Sequence, residues 1–81
     1  MLNDMDRIML IHHLAQAEEH VASSRRAIIR QRELVLDLER DGQDTGEARR
    51  LLATFEDLER LHVADRERVL KEPFRKRPFC D

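Results

Sequence analysis

Leu14, Val21, Ile28 and Val35 recur at intervals of seven residues, and Leu10, Ala17, Ser24, Gln31 and Leu38 fill the companion position between them. Two seam positions per heptad keep one face of a helix in line with a neighbouring helix. Here one position carries bulky apolar residues and the other small or polar ones. No Gly or Pro interrupts the chain before Gly42, and Asn3 or Asp4 suits an N-cap, with Asp6 in the first turn where a carboxylate favours the helix dipole. The pattern predicts a first helix over about residues 4–41.

A second stripe runs beside the seam through Ile11, Ala15, Ala22, Ile29 and Leu36. A two-stranded coil needs only one narrow seam, whereas an arc this broad belongs to a helix in a bundle of three or four. The stripe is therefore the expected oligomer interface.

The break falls at Gly42, a residue that suits the left-handed position just past a helix C-terminus. A turn over 42–44 is expected, with Asp44 or Thr45 as the next cap and Asp44 with Glu47 as a variant capping box. Ala48, Leu51, Leu52, Phe55, Leu58, His62 and Val69 then follow the i, i+3, i+4, i+7 rule, widened by Leu61, Val63 and Leu70. This predicts a second helix over about 45–72, ended by Pro73, and leaves 73–81 as a tail. So short a connection forces antiparallel neighbours. The expected fold is all-α: an antiparallel two-helix hairpin that dimerises into a four-helix bundle.

The first helix outruns the second, about 57 Å against 42 Å at 1.5 Å per residue. Its overhang carries Leu2, Met5, Ile8 and Met9, which need cover from a partner chain or from the tail between Phe74 and Phe79.

Composition agrees with helix. Charged residues make up 40% of the 81, yet the net charge is only −2, so the surface is one of paired charges, neither polyanion nor polycation. A domain of this size is marginal without a disulfide, a metal or oligomerisation. Cys80 is the only cysteine and makes no internal disulfide. A lone thiol fits a reducing compartment. Met1 to Asp6 lacks the basic stretch of a signal peptide, and no apolar run approaches the roughly 20 residues that span a bilayer. A cytoplasmic protein without a membrane span is expected.

Five groups of residues bear on chemistry. Glu59 and His62 match Glu-x-x-His, the half-site of di-iron bundles, which also needs a carboxylate from the facing helix. Folding the chain about its turn sets position 59 opposite Ile28 and position 62 opposite Ser24, where no carboxylate lies. His13 and His20 share a side of the first helix near His12, but without cysteines or a carboxylate ladder they make a weak metal signal. The same fold-back gathers Ser24, His62 and Asp65. A regular helix interior offers no oxyanion hole for a triad, so the expectation is a polar layer that sets register. Arg25, Arg26, Arg30 and Arg32 are expected to pair with acids such as Glu33, Asp37, Glu56, Asp57 and Glu59. Lys71, Arg75, Lys76 and Arg77, with Phe74 and Phe79, form a basic-aromatic segment of the kind that contacts phosphate.

Across about residues 12–70, His20-Val21, Arg30-Gln31-Arg32, the turn Leu38 to Thr45, Leu51-Leu52, Phe55-Glu56, Leu61-His62 and Asp65-Arg66 resemble a group of small helical-hairpin proteins of soil-dwelling alphaproteobacteria. The resemblance implies a bacterial, cytoplasmic origin. It brings no activity, ligand or catalytic residue.

No catalytic residue and no cofactor are expected. The leading expectation is a non-enzymatic interaction module that forms a homodimer and binds another protein. Its rivals are a nucleic-acid-associated regulator that uses the basic tail, and a metal-binding bundle.

Overall fold

The computed structural model describes residues 3–71 and is an all-α antiparallel hairpin. Helix α1 spans Asp4–Arg40 and α2 spans Gly46–Lys71. The molecule is a slab of 62 × 23 × 12 Å, two helices wide and one helix thick. Among the described residues, no helix is long and apolar enough to cross a membrane.

Each helix end has a local cause. Asn3 is extended, and its side chain accepts from the Asp6 N–H at 2.7 Å, with Asp4 and Asp6 in the first turn. At the other end the Gln43 N–H donates to the Leu38 carbonyl and the Gly42 N–H to the Glu39 carbonyl, at 2.8 and 3.1 Å. These are the two bonds of a Schellman motif, which needs a left-handed residue after the cap; Gly42 supplies it with φ +72°. No atom lies within 4 Å of where a Cβ would stand on Gly42, so Gly42→Ala meets a backbone penalty alone. We expect it to lower stability by about 1 kcal/mol, read from the midpoint of urea unfolding.

The connection covers 41–45 rather than 42–44, because Asp41 caps α1 and α2 starts only at Gly46. Asp44 accepts from the Gly46 N–H at 2.9 Å, a turn bond two residues on, in place of the expected box with Glu47. The Thr45 carbonyl accepts the first helical bond, from the Arg49 N–H at 2.8 Å.

The core follows the seven-residue seam. Ala17, Val21, Ile28, Gln31 and Val35 are the buried residues of α1, while Leu10, Leu14, Ser24 and Leu38 are half-buried. Helix α2 has no buried residue at all. Of its half-buried positions, Ala48, Leu52, Phe55, Glu59, His62, Arg66 and Val69 alternate by four and three residues, a seam of its own, with Gly46, Glu56 and Val63 beside it. Leu51 and Leu58 belong to neither position of that seam and lie on its flank. The broad stripe expected of α2 is thus a narrower, partly polar one with leucines to one side.

The far end of α1 overhangs as expected, with Met5, Ile8, Met9 and Ile11 all more than half exposed.

Candidate functional site

The two broad faces of the slab differ in chemistry. On one, three ion pairs cross between the helices: Arg25 to Glu59 at 3.0 Å, Arg32 to Glu56 at 3.3 Å, and Arg49 to Glu39 at 3.0 Å. The α1 members, Arg25, Arg32 and Glu39, are seven residues apart, so one flank of the seam is charged along its length. Of the arginine band, Arg25 and Arg32 pair with facing acids as expected. Arg26 stays on its own helix and bonds Glu19 at 2.9 Å. Such exposed pairs contribute little each, about 0–1 kcal/mol, but they give the face a fixed pattern of sign.

The opposite face carries a shallow open groove of about 150 Å³, lined by Ser23, Ser24 and Ala27 of α1 and Phe55 and Leu58 of α2. Leu34 is one heptad beyond Ala27, and Leu51 one heptad before Leu58, so both share this side. Leu34, Leu51 and Leu58 are 45%, 44% and 42% exposed. We call this the leucine face and the other the charged face.

The stripe of Ile11, Ala15, Ala22, Ile29 and Leu36 lies on the charged face. Ile29 follows Arg25 by four residues and precedes Arg32 by three, which puts it outboard of that ladder. Ile11, Ala15, Ile29 and Leu36 are exposed and Ala22 is half-buried.

The expected polar layer of Ser24, His62 and Asp65 does not assemble. His62 packs against His20, with ring centroids 5.2 Å apart, and Glu59 bonds Arg25. The cross-helix ion pairs keep the register counted from the turn, and it is the His62 ring that leans toward His20. Phe55 stands beside Ser23, Ser24 and Ala27 as one wall of the open groove, a bulky side chain among small ones. Ser24 lines that gap, and Asp65 is exposed, 3.7 Å from Arg68.

The metal candidates are equally dispersed. Glu59 is held by Arg25, His62 by His20, and His13 is exposed. Among the described residues, no three side chains of His, Cys, Asp or Glu gather as a metal site. Lys71 ends α2 and is exposed; Arg75, Lys76, Arg77 and the rest of the 73–81 tail lie outside the described residues.

One functional position escaped the reading of the polar candidates. Gln31 is buried in the seam and its Nε2 donates to the Ala48 carbonyl at 3.0 Å. Its place in the heptad was the available signal, since a polar residue at a seam position is the usual way to set register. Arg66 holds the equivalent place near the far end of α2. Among the described residues its Nε is buried without a hydrogen-bond partner, while its Nη2 lies 3.6 Å from Glu67.

No family model, no curated protein and no solved structure matches the chain.

Proposed function

We propose that this chain is a non-enzymatic helical interaction module that self-associates and binds another protein. The observation that carries the reading is the imbalance of burial. Five residues of α1 are buried and none of α2 is, while Leu51, Leu58, Leu61 and Leu70 of α2 are 42–64% exposed. A hairpin of this size gains too little from so small a core to stand well alone, and a second layer of helices supplies what is missing. Apolar tracts remain on both broad faces, more than a lone small protein usually shows to water. One tract serves a second copy and leaves the other for a different protein.

Sedimentation equilibrium across micromolar concentrations tests the self-association. A species of twice the 9.6 kDa chain mass is expected. A single 9.6 kDa species over the whole range would sink the reading.

A further inference from the structure

The reading above says that the chain pairs with itself; it leaves open where and how. Two apolar tracts compete for the second copy. To cover the Ile29 and Leu36 stripe, a hairpin must lie on the charged face and strip water from the pairs Arg25–Glu59, Arg32–Glu56 and Arg49–Glu39. Desolvating ion pairs that already have their partners opposes association. On the leucine face, Ala27, Leu34, Leu51 and Leu58 bring no charge to bury. That face also bears Leu58, 42% exposed, standing as one wall of a recess that Ser23, Ser24 and Ala27 share. A two-fold pair of identical surfaces must be self-complementary, and a knob beside a hole on one surface meets that condition.

The order of residues along the face chooses the orientation. From the turn outward, α1 presents Leu34, Ala27 and His20, and α2 presents Leu51, Leu58 and Asp65. When the two-fold axis runs along the helices, α1 lies over the partner's α2 with both turns at one end. Leu34 then meets Leu51 of the partner subunit, Ala27 receives the partner's Leu58, and His20 stands by the partner's Asp65. These three layers match in polarity or size. With the turns at opposite ends, α1 lies over the second copy's α1. Leu34 then falls on that copy's His20, and Leu51 on its Asp65, so apolar positions meet polar ones.

The area is adequate. Helix α2 is about 39 Å long at 1.5 Å per residue, and across the 23 Å breadth of the slab the shared face is roughly 900 Å² per copy. Stable interfaces bury about 800 Å² per partner. The overhangs fit too: with the turns together, both stretches bearing Met5, Ile8, Met9 and Ile11 project from the same end and lie within reach of each other.

We infer that a second copy of this chain seats on the leucine face with its turn at the same end, Leu58 of each copy entering the groove at Ser23, Ser24 and Ala27 of the other. This rests on the self-association proposed above. The test uses the full chain and two readouts. In sedimentation, Leu58→Glu should weaken dimerisation about 100-fold or more, because two leucines per dimer lose their cover. Ile29→Glu should leave it within about three-fold. In the second readout, Gln43→Cys in a Cys80→Ser chain carries a spin label at the exposed turn. Turns at one end put the two labels about 20 Å apart, two helix spacings; turns at opposite ends put them about 40 Å apart or more, the length of α2.

A dimer that survives Leu58→Glu and falls apart with Ile29→Glu would overturn the choice of face while self-association stood. A long label distance would overturn the orientation. A monomeric parent chain would overturn both proposals. Should Leu58→Glu lose its helix signal in circular dichroism, the label distance, measured with Leu58 intact, still decides.

Discussion

Ile28→Ala should leave less than half of the helix signal in circular dichroism at room temperature. Ile28 is 4% exposed and sits at the middle of the seam, between Val21 and Val35. Removing its outer carbons forfeits their burial and opens a gap that two rigid helices close only in part. Such truncations cost about 2–5 kcal/mol. A core this small rarely supplies more than about 3–5 kcal/mol in total, so one truncation consumes most of it. Ile29→Ala is the control. Ile29 is 54% exposed, and its truncation should change stability by no more than about 0.5 kcal/mol. Equal losses from the two variants would show that stability does not reside in the seam.

Gln31→Glu should be nearly as damaging at neutral pH and largely relieved in acid. Gln31 is 8% exposed and donates to the Ala48 carbonyl. A glutamate there keeps the shape, but its ionised carboxylate has no proton to donate and faces a carbonyl oxygen in a buried site. Breaking a buried bond and leaving a charge unpaired costs about 3–5 kcal/mol. Burial disfavours the charged form, so the new carboxyl titrates higher in the folded state than its unfolded value of about 4.3. The folded state then holds the proton more tightly, and stability rises as pH falls through the folded value and levels off below the unfolded one. Once protonated, the group donates to Ala48 again. Thermal unfolding followed from pH 7 to pH 4 should show the variant gaining on the parent chain. A constant difference over that range would mean that Gln31 does not sit in a dry seam.

The hairpin was legible because its two determinants are short-range. A seven-residue apolar repeat without Gly or Pro makes α1, and one glycine at a left-handed position ends it. The register of the pairing was legible too, since Arg25–Glu59, Arg32–Glu56 and Glu39–Arg49 fall close to the level counted from the turn. Counting residues outward from the turn gives the level of each residue but not the direction of its side chain, and it did not show the groove that Phe55 borders with Ser23, Ser24 and Ala27. The His62 ring instead meets His20, a contact that counting alone did not give. The charged ladder was visible in outline, since Arg25 and Arg32 had to meet acids on α2. The leucine face was not visible, because Leu51 and Leu58 pass for seam residues until the alternation of Leu52, Phe55, Glu59 and His62 shows which side of α2 points inward. Apolar periodicity locates a face to within one helix position, and one position separates lining the core from flanking it.

The turn at Gly42 also sets an order of assembly. The Gln31–Ala48 bond joins residues 17 apart, Arg32–Glu56 residues 24 apart, and Arg25–Glu59 residues 34 apart. The entropy lost in closing a loop grows with its length, so the contacts nearest the turn form first and each shortens the loop that the next must close. By that cost alone, closure is least costly beside Gly42 and most costly at the far end of the hairpin. The overhang from Met5 to Ile11 is the last segment to find a neighbour. A lesion at the far end leaves a chain that still closes quickly but ends ragged. A lesion at the turn slows closure while leaving every later contact available.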